Sequence, residues 1–274
     1  MSKYQYLNLG CGATFHKDWT NIDFVSVSDE VKAHNLFYGI PSKDLSFDVV
    51  YHSHVLEHFP KSKAAGFIEE CYRVLKPGGI IRIAIPDLER IIRTYIKYLE
   101  ECLKNTPGAH EKYEWIMLEL FDQVVRSQTG GEMISYIKDT SRNNDEFLLE
   151  RNGYEVKRIM EIFRNEKVIP QKASSSFGNK IKSLSQRIKN KIEKIILGKK
   201  YKYYLDGKFR SEGEIHQWMY DRYSLKKILE QAGFKNVEVK SAFESNIAGW
   251  ESFELDGKEG VVRKPDSLFM EAKK

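Results

Sequence analysis

A chain of 274 residues, 41% hydrophobic and 30% charged, has the balance of an ordinary globular protein and room for one large domain or a domain with a sizeable insertion. It has no run of about 18 apolar residues, so no membrane-spanning helix is expected, and Met1-Ser2-Lys3 leads directly into a strand-like segment with no signal-peptide pattern. The net charge of +5 is uneven: Lys172 to Lys202 carries ten Lys/Arg against Glu193, about +9, which leaves about −4 elsewhere and argues against a basic nucleic-acid-binding surface spread over the whole fold.

In chain order, residues 4–9 read as a short buried strand that ends at Gly10-Cys11-Gly12. Residues 20–24 read as a second strand, residues 31–36 as a short third, and Phe47 to His52 as a fourth. From Ala64 to Leu75 the apolar residues fall on one helical face. Lys76-Pro77-Gly78-Gly79 stops that helix, because proline cannot continue it and glycine turns the chain. Ile80 to Ile85 is a nearly continuous apolar run, as expected of a central parallel strand.

Alternating strands and helices predict a doubly wound α/β sheet. The alternation then breaks, and helices are predicted at 88–104, 111–127, 145–165 and 178–197. It resumes with a helix over Tyr223 to Ala232 and strands at Val237–Val239 and Leu268–Ala272. The reading is a discontinuous core, residues 1–87 and 216–274, with 88–215 as a helical insertion. Cys11, Cys71 and Cys102 form neither a disulfide framework nor a zinc pattern, which suits reduced thiols in a cytoplasmic protein. The histidines and acids show no metal-ligand spacing along the chain, so no metal is expected.

Gly10-Cys11-Gly12 closes a strand of an open α/β sheet, where ligands usually bind. Alone it is equally a turn. Asp23 ends the next strand, beside that loop, and a carboxylate there can accept from both hydroxyls of a ribose. A dinucleotide site would need a third glycine opening a helix and an acid about 20 residues on. Phe15 stands at the third position, and Asp23 follows Gly12 by only 11 residues. The short connection is poor for a pyrophosphate and tolerable for a ligand without phosphate.

Tyr6-Leu-Asn-Leu-Gly-Cys-Gly12, Trp19-Thr-Asn-Ile-Asp23, Phe47-Asp-Val-Val-Tyr-His-Ser-His-Val-Leu-Glu-His-Phe59 and Arg73-Val-Leu-Lys-Pro-Gly-Gly79 resemble successive motifs of the class I S-adenosylmethionine (SAM) dependent methyltransferases. The look is nearest to the methyltransferase type 11-like proteins, and among them to predicted bacterial small-molecule methyltransferases associated with cell-surface polysaccharide biosynthesis. Ser127-Gln-Thr-Gly-Gly-Glu-Met133, His216-Gln-Trp-Met-Tyr-Asp221 and Lys264 to Glu271 share that look.

The resemblance implies a seven-stranded SAM-methyltransferase Rossmann-like sandwich, with its last strand antiparallel and the helical insertion as a substrate cap. It implies SAM as cofactor, bound by Gly10, Cys11, Gly12, Asp23, Asn35, Leu36 and His52. It also implies O-methylation of a sugar, glycan precursor or other small molecule. Asn8 replaces an acid often found in the first strand.

His52 and His54 lie at the end of the fourth strand, facing the same side by period two if the strand extends that far, at the edge where this fold holds the methyl acceptor; Glu57 and His58 follow at a helix start. His54 is a candidate general base or a packing residue. His216 is a second candidate base or an aromatic hinge, and Tyr220 and Asp221 are lesser candidates. Residues 177–197 have an apolar stripe with lysines and arginines off it, which suits an anionic membrane face or packing within the protein. The partners implied are a small-molecule or lipid-linked acceptor at the inner face of a membrane. An RNA or protein methyltransferase is the alternative enzyme, although the fourth strand lacks the Asn/Asp-Pro-Pro-Tyr motif. A peripheral-membrane scaffold on a methyltransferase core is the non-enzymatic alternative.

Overall fold

The computed structural model describes residues 4–164, 191–211 and 213–274. Its centre is a seven-stranded sheet. β1 (Tyr6–Leu9), β2 (Thr20–Asp23), β3 (Val31–Ala33) and β4 (Phe47–Ser53) precede α1 (Lys61–Val74) and β5 (Leu75–Pro86). After the helical segment come α7 (Arg222–Gln231), β6 (Lys235–Lys240), the short hairpin β7 (Gly257–Lys258) and β8 (Val261–Val262), and β9 (Ser267–Lys273).

The strand order is β3-β2-β1-β4-β5-β9-β6. β1 to β5 run parallel, and β9 is antiparallel to both neighbours, β5 and β6. The chain therefore winds outward in both directions from β1 and β4, and the gap between their carboxyl ends is the topological switch point of the sheet. This is the expected seven-stranded sandwich with its antiparallel last strand.

The central strands are apolar because both faces are covered. Leu7, Leu9, Val50, Ile81, Ile83 and Ile85 are buried with Phe67, Ile68 and Cys71 of α1 and Leu225 and Leu229 of α7. The other face is covered by apolar residues from outside the α-helices. Trp19, Val49 and Tyr51 pack on Ile247, Trp250 and Leu255.

Arg82 interrupts the apolar run of β5 and points into that second face, fully buried. Its five N–H groups meet Asp256, Glu271 and the carbonyls of Ser241, Ala242 and Glu244 at 2.7–3.1 Å. Tyr51 donates to the same Asp256 at 2.6 Å, and the guanidinium lies 4.4 Å from the Trp250 ring centroid.

Between β5 and α7 run α2 (Leu88–Leu103), α3 (Ala109–Val125), α4 (Gly131–Lys138), α5 (Asp145–Arg164) and α6 (Tyr201–Ser211). Ile91, Trp115, Ile116, Tyr136, Phe147 and Leu148 give this segment a core of its own. The helix expected over 145–165 is broken at Gly153, whose φ of 58° and ψ of −131° are not helical. There Tyr154 N donates to Arg263 O (3.3 Å), and a Cβ on Gly153 would stand 2.6 Å from Pro265. Close packing on the 263–265 loop thus needs glycine and bends the helix.

α4 and α6 are not anticipated from sequence. Two glycines precede the eight-residue α4, and α6 buries none of its residues. Of the basic helix expected over 178–197, only 191–197 is described, and it is helical with Ile192, Ile195 and Ile196 exposed. The rest of the stretch 177–197 lies outside the described residues. Among the described residues no helix is long and apolar enough to cross a membrane.

Removing one partner of a buried, hydrogen-bonded ion network leaves the other charges uncompensated. Arg82→Met should therefore lower the free energy of unfolding by about 3–5 kcal/mol, read from the urea midpoint. A loss below about 1 kcal/mol would mean that Asp256 and Glu271 find other partners.

Candidate active site

An open cleft of about 200 Å³ lies at the carboxyl ends of β1, β2 and β4. Gly10, Asp23, His34, Asn35, Leu36, His54, Val55, His58, Phe59, Ser211 and Gly213 contribute to its wall, with Phe24 and Phe37. Gly10 continues β1 by donating from N to Ile22 O (2.8 Å), at a φ of +62°. A Cβ at Gly10 would stand 2.2 Å from Val55 Cγ2, so both conformation and space demand glycine. Gly12 has a φ of +52° and nothing within 4 Å of an added Cβ.

Asp23 ties the two strand ends together. Its Oδ2 accepts from Gly12 N at 2.8 Å, and its Oδ1 from Val25 N at 3.3 Å. Each carboxylate oxygen keeps a further lone pair for a ligand hydroxyl. Asn35 caps the 3-10 turn Leu36–Tyr38, with its Oδ1 accepting from Phe37 N (3.0 Å), which leaves its NH2 end as donor. Phe37 stacks on Phe59 and Phe59 on Phe67, each pair with centroids 4.5 Å apart, so the apolar rim is continuous with the core beneath α1. Asn8 is buried and joins β1 to its neighbours through Asn21 Oδ1 and Thr14 O, both at 3.2 Å.

Of the candidate cofactor residues, Gly10, Asp23, Asn35 and Leu36 meet at the cleft. Cys11 is buried behind it, and burial, with Asp23 nearby, pushes its thiol up to about 12. His52 does not reach the cleft. It is fully buried against Phe67 of α1, with both ring nitrogens unpartnered, and desolvation draws its imidazole down to about 4. The expectation that His52 and His54 share a side fails because the strand ends at Ser53 and His54 takes a φ of +55°.

That turn brings His54 to the cleft between two partners. Its Nδ1 lies 3.2 Å from Glu57 Oε1, and its Nε2 lies 2.8 Å from Ser267 Oγ. A carboxylate at Nδ1 favours the tautomer whose Nε2 can accept a proton. His216, the other candidate base, is only 3% exposed and is absent from the cleft wall. Burial draws it down to about 3, too weak for a base near neutral pH. Asp221 is the N-cap of α7, accepting from Tyr223 N and Ser224 N, and Tyr220 is buried.

Glu57 reads locally only as an acid at a helix start, yet it is wholly buried in the 3-10 turn Leu56–His58. Burial opposes its ionisation, but His54 first, then His58 and His216, hold its carboxyl below the usual range. The structure also gathers Glu57, His58 and His216 within ligating distance of one another, an arrangement invisible in their spacing along the chain. Phe24, which directly follows the strand-end acid, and His34, whose Nε2 lies 2.9 Å from Gly39 O, are further wall residues that sequence reasoning missed.

Residues 20–83 match the family model of the methyltransferase domain. They run from β2 to the middle of β5 and include Asp23, Asn35, His54 and Glu57. A stretch of 54 residues is 39% identical to a Mycolicibacterium smegmatis protein described as a probable S-adenosylmethionine-dependent methyltransferase. That match spans a fifth of this chain and a fifth of the relative's length.

Among solved structures, a SAM-dependent methyltransferase from Archaeoglobus fulgidus aligns over 99% of this chain and 86% of its own, at 13% identity and a TM-score of 0.37. A possible histamine N-methyltransferase from Thermotoga maritima aligns over 100% and 84%, at 12% identity and a TM-score of 0.39. Likeness of that degree carries no weight for chemistry, and the fold stands on its own strand order.

An unpartnered, buried imidazole that must stay neutral ties stability to pH. With a folded value of about 4 against an ordinary 6.5, His52 binds its proton more readily in the unfolded chain. Its contribution is complete above pH 6.5 and is lost as pH falls towards 4. His52→Leu should therefore match or exceed wild type in urea midpoint at pH 7 and lose less stability between pH 6.5 and 4. Parallel slopes for the two proteins would count against this account.

Proposed function

We propose that this protein is a SAM-dependent methyltransferase that methylates a hydroxyl of a sugar, glycan precursor or similar small molecule. The observation that carries the reading is Asp23: a strand-end carboxylate on the switch-point cleft, locked to the glycine loop through Gly12 N at 2.8 Å. The matched family region and the curated relative point to the same chemistry.

The residues present fit the cofactor. Asp23 offers acceptors for two ribose hydroxyls, and the space at Gly12 admits close approach to backbone. Asn35 offers its NH2 to a ring nitrogen of adenine, beside the apolar surfaces of Leu36, Phe24 and Phe37. Bound SAM supplies a methyl group already activated by its positive sulfonium. The protein's task is then alignment, exclusion of water and removal of one proton. His54 Nε2 takes that proton from the acceptor hydroxyl, directly or through Ser267 Oγ. Glu57 steadies the resulting imidazolium from Nδ1.

We further propose that the helical segment 88–215 is the acceptor's cap. Ser211, which ends α6, lines the same cleft as Gly10, as does Gly213 just beyond it. A lipid-linked acceptor at the inner membrane face would suit the basic stretch read from the sequence.

Calorimetric titration with SAM tests the cofactor site. Asp23→Ala should weaken binding roughly ten- to a hundredfold, the loss expected when hydrogen bonds to a charged group disappear. Asp23→Asn, which keeps an acceptor for Gly12 N, controls for loop collapse. No binding by folded wild type, with or without acceptors, would overturn the assignment. The acceptor is tested by transfer of labelled methyl to sugar nucleotides and lipid-linked glycans. His54→Gln should lower turnover by roughly a hundredfold or more, with a smaller change in SAM affinity. Transfer to RNA or protein in place of these would redirect the substrate assignment.

A further inference from the structure

Glu57 and His58 lie in the turn after β4, and His216 lies 158 positions beyond His58, in the segment that leads into α7. Main-chain bonds hold them together. Gln217 N and Trp218 N both donate to Glu57 O, at 2.7 and 3.2 Å, and His216 N donates to Gln123 O at 2.9 Å. His58 Nδ1 donates to Ile215 O at 3.0 Å, which fixes the ring and leaves Nε2 as its available ligand atom. His216 Nε2 lies 4.0 Å from Glu57 Oε1, and the two imidazoles meet edge to face at 5.0 Å.

One ligand atom from each residue falls within 4.8 Å of the other two. Ligands at about 2.1 Å around a tetrahedral ion lie about 3.4 Å apart, so side-chain rotations that move the ligand atoms by up to about an ångström close the set. Apart from His54 Nδ1, 3.2 Å from Glu57 Oε1, these polar groups have no satisfying partner among the described residues. Both oxygens of Glu57, which is 0% exposed, and Nδ1 of His216, which is 3% exposed, lack aligned hydrogen bonds. Such orphaned buried groups are rare without a missing partner.

We propose that Glu57, His58 and His216 bind one first-row divalent cation at the floor of the cleft. Two imidazoles and one carboxylate suit Zn(II), Fe(II), Co(II) or Ni(II) better than Mg(II) or Ca(II), which take mostly oxygen ligands. Three protein ligands leave coordination positions open, and His58 connects the set to the cleft wall. The site does not depend on the methyltransferase reading. One consequence does rest on that reading: an acceptor hydroxyl bound to the ion would give up its proton more easily.

The test uses the full chain, stripped with chelator and dialysed, with Zn(II) followed by calorimetry and Co(II) by its visible absorption. One ion per chain is expected, bound roughly tenfold or more weakly by His58→Ala and by His216→Ala. His58 is only partly buried, so its variant remains informative if the His216 variant fails to fold. Absence of stoichiometric binding by folded wild type would overturn the proposal. So would affinity unchanged in folded His58→Ala, which would place the ion on other side chains. SAM titration of the same samples separates the two readings: SAM binding without metal binding defeats only this site, and metal binding without SAM binding defeats only the methyltransferase assignment.

Discussion

The guanidinium of Arg82 is the point on which one whole face of the sheet depends. Covering a parallel sheet ordinarily takes helices on both sides. Here the second face is covered by the irregular segment around 241–256, whose carbonyls would be stranded without a donor. Arg82 supplies that donor set from inside β5, binding three of those carbonyls, Asp256 of the segment and Glu271 of β9. With every N–H committed, the network acts as a register key, fixing how the covering segment and the antiparallel strand meet the rest of the sheet.

The layout of the sheet was legible because buried parallel strands advertise themselves. Leu7, Leu9, Val50, Ile81 and Ile83 are apolar wherever they sit in the order. The third glycine missing at Phe15 and the closeness of Asp23 to Gly12 are the sequence features that argue against a dinucleotide site. What the sequence hid depends on contacts between distant residues. Arg82 looks like a lapse in an apolar run until Asp256 and Glu271 are seen around it. The break in α5 lies at Gly153, but its cause is Pro265 and Arg263.

The histidines mark the same boundary. Period-two reasoning places His52 and His54 on one side of a strand, and it fails because a single positive φ at His54 swings the second ring away from the first. His52 is left in the core and His54 at the cleft. Glu57 reads locally as a helix-start acid, a position normally wet. Its burial among His54, His58 and His216 arises only when the chain returns from the helical segment.

That return also divides the cleft into a fastened side and an exposed side. The main-chain oxygen of Glu57 accepts from both Gln217 and Trp218, which fastens the downstream end of the helical segment to the cleft floor. Immediately upstream, α6 buries none of its eleven residues, and Ser211 at its end forms part of the cleft wall. The cleft wall at Ser211 therefore belongs to an exposed helix, whereas the turn that carries Glu57 and His58 is pinned by the returning main chain, so substitutions along α6 alter one side of the cleft without touching that turn.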